Sequence, residues 1–190
     1  MPRVGICRRP AAPSSRETFM LATLDRWILG ANRALMILAL AVMSVVVFVN
    51  VALRYLTSES IVWAEEVARY LMIWLTCLGI GPLIRIGGHV AIDNLQDALP
   101  PPAARALRLL VAAIVFAFCV FLVWIGSRFA MRTMVQTTPV LEVPFGYVAA
   151  AIPVGGALAL WHLLAVLRGF VRDRSFETGA EIDANAAGSL

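Results

Sequence analysis

The sequence contains no lysine, and all 16 of its basic residues are arginine. This absence excludes a phosphate-binding P-loop and Schiff-base catalysis, because both depend on a lysine amine. Cysteine is scarce and odd in number, and Cys77 and Cys119 fall inside apolar stretches. We interpret these two as small buried hydrophobic side chains and not as a disulfide or a metal site.

Charge of either sign is also scarce. Charged residues make up 15% of the chain, whereas soluble domains carry about 25%. Hydrophobic residues make up 61%, and the mean hydropathy is +0.83. This composition excludes an ordinary water-soluble globule, a disordered chain, a secreted disulfide scaffold and a soluble nucleic-acid binder.

Four uncharged or nearly uncharged runs predict membrane-spanning helices. At about 1.5 Å per residue, about 20 residues cross a hydrocarbon core of about 30 Å. We therefore predict an all-α integral membrane protein with four transmembrane helices, at about residues 34–53, 66–84, 108–127 and 145–167. Amphipathic spacing adds short interfacial helices at residues 20–31 and 91–99. The expected organisation is a disordered lead (1–19), a four-span membrane domain (20–167) and a polar cytoplasmic tail (168–190).

The arginines predict the orientation of the spans. Twelve of them lie before the first span, between the second and third, or after the fourth, and four lie in the other two connections. Because arginine-rich segments stay on the cytoplasmic side, we expect both termini in the cytoplasm. If Met20 is the true start, the count becomes eight against four and the orientation is unchanged.

Three charged residues stand together where the second span begins. Arg69 follows Glu65 by four residues and Glu66 by three, a spacing that favours ion pairs on one helix. Adjacent carboxylates point about 100° apart, which argues against a shared catalytic proton. We interpret the group as a structural ion pair at the membrane interface, with Trp63 in the aromatic belt.

The fourth span is rich in small residues. Ala151, Gly155 and Ala159 recur at four-residue steps, a spacing that lets two helix backbones approach closely. His162 lies on the same face, and we expect its side chain to be hydrogen-bonded between helices. A haem site is disfavoured, because His89 lies outside the second span and does not face His162 across the bundle.

Four motifs follow one another along the spans: Asn50-x-x-x-Arg54-Tyr55, Trp63-x-Glu65-Glu66-x-x-Arg69-Tyr70, Gly88-His89-Val-x-Ile-Asp93, and Thr138-Pro139 with Pro144 to Tyr147 and Ala151-x-Pro153-x-Gly155. This succession resembles the small membrane subunit (DctQ type) of tripartite ATP-independent periplasmic (TRAP) transporters. The resemblance covers Leu21 to Leu167.

The resemblance implies a role in transport and not in catalysis, with no cofactor. In that family a periplasmic solute-binding protein delivers a carboxylate-bearing solute to a large membrane subunit, which takes it up with an ion gradient. The small subunit binds and braces the large one in the bacterial inner membrane. The implied partners are the large subunit, the binding protein and the lipid bilayer, and no nucleic acid. Solute specificity resides mostly in those protein partners.

The motifs and the small-residue stripe supply the candidate residues for subunit contact or membrane anchoring. They are Asn50, Arg54, Trp63, Glu65, Glu66, Arg69, His89, Asp93, Ala151, Gly155 and Ala159. Two other functions stay open at this point. One is a membrane anchor of a redox enzyme, in which His89 and His162 would matter, and the other is a free-standing small channel or exporter.

The orientation can be tested with reporter fusions. Fusions after Leu56 or Val140 are expected to report the periplasm, and fusions after Ala98 or Leu190 the cytoplasm, because of the arginine distribution. Paired alkaline phosphatase and fluorescent protein reporters measure this. The opposite pattern would refute the orientation.

Overall fold

The computed structural model describes residues 16–86 and 100–173. Its helices are α1 (Arg16–Thr57), α2 (Ala64–Arg85), α3 (Pro101–Thr133), α4 (Gly146–Ala149) and α5 (Ala151–Asp173). Four stretches are long and apolar enough to cross a membrane: Thr23–Thr57, Ala64–Arg85, Pro101–Thr133 and Gly146–Leu167. This confirms the all-α architecture with four membrane spans.

The first helix is longer than the span that hydropathy predicts. It begins at Arg16, inside the segment assigned to the lead, and continues through residues 20–31 without a break. The stretch expected to be a separate interfacial helix is therefore the first part of α1. Since it holds a single glycine and no proline, nothing in it ends the helix. The other interfacial helix, at 91–99, lies outside the described residues, as do His89 and Asp93.

The helices pack in the order α1, α2, α5, α3. Helix α5 contacts both α2 and α3, and α1 runs along α2. The core between α2, α3 and α5 includes Ile84, Cys119 and Leu163. None of the most apolar stretch of α1 is buried, whereas 39% of the corresponding stretch of the fourth span is. Helix α1 thus turns most of its apolar side chains outward.

Small residues bring α5 and α2 together. Ala151, Gly155 and Ala159 are all buried, and Ala159 is fully so. A Cβ added at Gly155 would lie 2.6 Å from the carbonyl oxygen of Cys77, closer than real Cβ atoms come. This confirms the expected close packing, and the partner is α2 of the same chain. Cys77 is half-buried and Cys119 is buried, and both are free cysteines.

A proline in α2 is compensated by a side chain from α1. Pro82 has no N–H, so the carbonyl of Leu78, four residues earlier, loses its donor within the helix. The side-chain amide of Asn32 donates to that oxygen at 3.1 Å, and Asn32 is only 2% exposed. Because an unpaired carbonyl is unfavourable in an apolar environment, this hydrogen bond holds α1 to α2.

Asn32→Leu is expected to lower the free energy of unfolding by about 1–2 kcal/mol, because it leaves the Leu78 carbonyl unpaired. In a Pro82→Ala background the new N–H can bond that carbonyl, so the same substitution should be less harmful. Thermal unfolding of the wild type, the two single variants and the double variant in detergent measures the coupling between the two substitutions. Strictly additive effects would show that the Asn32 bond does not replace the missing donor.

Candidate functional site

Glu66 is a buried carboxylate at the start of α2. It stands in the first turn, where the helix dipole favours negative charge, and it is only 6% exposed. Its Oε1 accepts a hydrogen bond from the Tyr70 hydroxyl at 2.5 Å. Its Oε2 accepts from the backbone N–H groups of Val140 and Leu141, at 3.0 and 3.1 Å. Glu66 therefore joins α2 to the connection between α3 and α4.

That connection is a compact turn, which we call the 136–145 hairpin. The N–H of Thr138 donates to the Val143 carbonyl at 2.9 Å, and the N–H of Phe145 donates to the Gln136 carbonyl at 2.8 Å. The hydroxyl of Thr138, a residue 2% exposed, accepts from the Val143 N–H at 3.2 Å. These bonds, with the two to Glu66, hold the hairpin tip in one conformation and leave Val140 at the surface.

The ion pair expected among Glu65, Glu66 and Arg69 does not form in the part of the chain that the structure describes. Glu66 turns inward, and a hydroxyl and two backbone N–H groups satisfy its carboxylate in place of a cation. Glu65 and Arg69 are exposed. Helix spacing alone does not show whether a carboxylate faces its helical neighbour or the next segment of the fold.

The other motif residues at this end differ in their placement. Asn50 Oδ1 accepts a hydrogen bond from the Ile61 N–H at 2.7 Å, which ties α1 to the loop before α2. Arg54 is exposed, and Trp63, directly before α2, is 44% exposed. Asn50 thus closes the α1–α2 connection, whereas Arg54 and Trp63 lie on the surface.

A second polar cluster lies at the opposite end of the bundle and centres on Arg85, which is only 1% exposed. Its Nε donates to Nδ1 of His162 at 2.7 Å. Its guanidinium also forms an ion pair with Asp25. The Asp25 carboxylate accepts a further hydrogen bond from Trp161 Nε1 at 2.8 Å. This Arg85 cluster (Asp25, Arg85, Trp161 and His162) links α1, α2 and α5.

The hydrogen bond from Arg85 confirms the interhelical role expected for His162. The imidazole is fully buried and lies directly against Gly81 of α2, where an added Cβ would overlap the ring. The missing side chain of Gly81 therefore makes room for the histidine. Close helix packing and the polar contact depend on each other at this position.

The sequence interpretation did not predict the pairing of Asp25 with Arg85. Its boundaries placed Asp25 in the interfacial helix at residues 20–31 and Arg85 directly after the second span, which was expected to end at about residue 84. The sequence did contain a signal for this pairing. Residues just before the first span and just after the second lie at the same end of the bundle, because the two helices are antiparallel. An acidic residue and a basic residue at those two positions can meet.

Among the side chains that the structure describes, no three His, Cys, Asp or Glu residues converge as metal ligands. Each of the two polar clusters joins separate segments of the fold through a buried charge that has protein partners. Such an arrangement is suited to holding helices in fixed relative positions.

Comparisons with known proteins agree with one another. The family model described as "Tripartite ATP-independent periplasmic transporters, DctQ component" matches residues 43–173. Over 140 residues the chain is 32% identical to a Haemophilus influenzae protein described as a TRAP transporter small permease protein, with coverage of 73% of this chain and 86% of that one.

Two further relatives add to this similarity. The C4-dicarboxylate TRAP transporter small permease protein DctQ of Rhodobacter capsulatus is 33% identical over 115 residues, which are 60% of this chain and 51% of the relative. The isethionate TRAP transporter permease protein DctMQ of Oleidesulfovibrio alaskensis is 27% identical over 113 residues. These are 58% of this chain and only 18% of that longer permease.

Glu66→Gln is expected to loosen the 136–145 hairpin, because an amide offers one acceptor oxygen where the carboxylate offers two. We expect a loss of about 1–3 kcal/mol in the free energy of unfolding, and faster amide hydrogen exchange at Val140 and Leu141. Glu65→Gln is the matched control, since it removes the same charge from the exposed neighbouring residue. Equal exchange rates in the two variants would contradict the assigned role of Glu66.

Proposed function

We propose that this chain, which belongs to the DctQ component family of tripartite ATP-independent periplasmic (TRAP) transporters, binds a large permease subunit and braces it during solute uptake. As a small permease subunit it is part of a transporter and not an enzyme, and its four spans make it a multi-pass inner-membrane protein. The alternative of a redox-enzyme anchor is therefore abandoned.

The similarity to DctMQ carries the proposal of a large partner. In that relative, a segment similar to this chain makes up 18% of a single longer permease. Such a covalent arrangement keeps the two parts in permanent proximity. We infer that the present chain works in the same proximity to a large subunit.

The structure supports a bracing role. Buried polar contacts hold both ends of α2 to neighbouring segments, at Glu66 and at Arg85. Large apolar side chains remain exposed along the two outer helices, for example Phe48 on α1 and Phe118 on α3. A fixed bundle with exposed apolar faces on both sides can contact a membrane partner, lipid, or both.

We also propose the orientation of the chain in the membrane, the class of solute and the source of energy for uptake. The 136–145 hairpin would face the periplasm and the Arg85 cluster the cytoplasm, which the arginine distribution supports. A periplasmic binding protein would deliver a carboxylate-bearing solute, and an ion gradient would drive its uptake. The relative named for a C4-dicarboxylate supports a carboxylate-bearing solute, whereas isethionate carries a sulfonate group.

Arg69 is the residue at which subunit contact can be tested. It is exposed near the hairpin end of α2, where we propose that it contacts the large subunit. A tagged form of the chain is co-expressed with the large permease subunit encoded in the same genome. In this system Arg69→Glu should weaken binding of that subunit about tenfold, which is a loss of about 1.4 kcal/mol in binding free energy. Quantitative co-purification measures the binding, and solute uptake by reconstituted vesicles should fall with it.

Arg69→Lys is the matched control, because it keeps the positive charge at the same exposed position. It should leave recovery of the large subunit and uptake close to those of the wild type. If Arg69→Glu matches the wild type in both measurements, Arg69 is not a contact residue. If the unmodified chain fails to recover the large subunit, the bracing role itself is wrong.

A further inference from the structure

Two buried polar atoms stand where α1 and α5 pack against α2, and neither has a hydrogen-bond partner among the described residues. They are Oδ1 of Asn32 and Nε2 of His162. Asn32 is 2% exposed and His162 is fully buried. Because buried polar atoms are almost always hydrogen-bonded to protein or to ordered water, the two atoms indicate a further molecule at this junction.

The two atoms have opposite hydrogen-bonding capacity. Arg85 Nε donates to Nδ1 of His162 at 2.7 Å. A guanidinium nitrogen can only donate, so Nδ1 is the unprotonated ring nitrogen and the neutral imidazole carries its proton on Nε2. The side-chain nitrogen of Asn32 donates to the Leu78 carbonyl, so the atom left over is the amide oxygen, which only accepts. One of the two atoms therefore needs an acceptor and the other needs a donor.

Both residues contact the same turn of α2. Asn32 bonds the Leu78 oxygen from α1, and Nε2 of His162 lies 3.0 Å from the position that a Cβ of Gly81 would occupy. In an α-helix a carbonyl oxygen lies beside the residues three and four positions later, here Gly81 and Pro82. Because a carbonyl oxygen has two lone pairs, that of Leu78 can accept a second hydrogen bond in addition to the one from Asn32.

The surrounding groups favour a small neutral molecule over an ion. A metal cation would meet the proton on Nε2 of His162 and the positive charge of Arg85. An anion would meet the oxygens of Asn32 and Leu78, which only accept hydrogen bonds. Water both accepts and donates, and with His162, Asn32 and Leu78 as partners it would make three hydrogen bonds, the usual number for a buried water.

We propose that this junction is the binding site of one buried water molecule. The water accepts a hydrogen bond from Nε2 of His162 and donates to Oδ1 of Asn32 and to the Leu78 carbonyl. It thereby joins α5 to α1 and extends the hydrogen bonds of the Arg85 cluster to Asn32. The site lies inside the bundle and is independent of the proposed contact with the large subunit.

The test is nuclear magnetic resonance of the full-length protein in detergent micelles, with its histidines labelled with ¹⁵N. We expect His162 to be neutral with its proton on Nε2, and that proton to show a rotating-frame Overhauser cross-peak to water, of the sign that marks proximity and not proton exchange. The other histidine of the sequence is His89, so His89→Gln assigns the signals. Absence of the water cross-peak, or a proton on Nδ1, would overturn the proposal.

Asn32→Leu tests whether the water bridges two helices. It removes one of the three partners of the water, so the cross-peak should fall to less than half of its wild-type intensity. Asn50→Leu is the matched control, because it makes the same substitution on the same helix where Asn50 bonds Ile61, and it should leave the cross-peak unchanged. An unchanged cross-peak in Asn32→Leu would show that Asn32 does not hold the water, and the proposed bridge would be wrong. If Asn32→Leu does not fold, the wild-type measurement decides.

Discussion

Arg85 has to be satisfied by other helices, because a guanidinium that is 1% exposed has almost no access to water. It stands in the last turn of α2, where the helix dipole favours a cation. Its partners, Asp25 and His162, come from α1 and α5. Loss of either partner would leave a buried charge poorly compensated. The relative positions of three helices at this end of the bundle are therefore determined together.

Helix α2 carries a buried charge of the opposite sign at its other end. Glu66 stands in the first turn, again in accord with the helix dipole, and its partners are Tyr70 and the 136–145 hairpin. Between the two ends, Asn32 bonds the carbonyl that Pro82 leaves without a donor, and Gly155 brings α5 against the backbone. Helix α2 is thus the element to which α1, α5 and the hairpin are all attached.

This organisation suits a subunit that holds a partner in place. The described charged groups that are buried join α2 to other segments of the fold, and many large apolar side chains of α1 and α3 are exposed. Membership in the DctQ family makes the chain a part of a transporter, and we propose that the outer faces meet the large subunit and lipid.

The sequence by itself determined the number of spans, because about 20 apolar residues are needed to cross a bilayer whatever surrounds them. It also determined the family, through the order of its motifs, and the close packing of the fourth span. Only the tertiary structure decided how the buried charges are paired. Spacing along one helix suggested Arg69 as the partner of Glu66, yet Glu66 bonds the backbone of Val140, and Arg85 bonds Asp25. Spacing describes neighbours on the same helix, whereas the partner of a buried charge depends on which distant segments the fold brings against it.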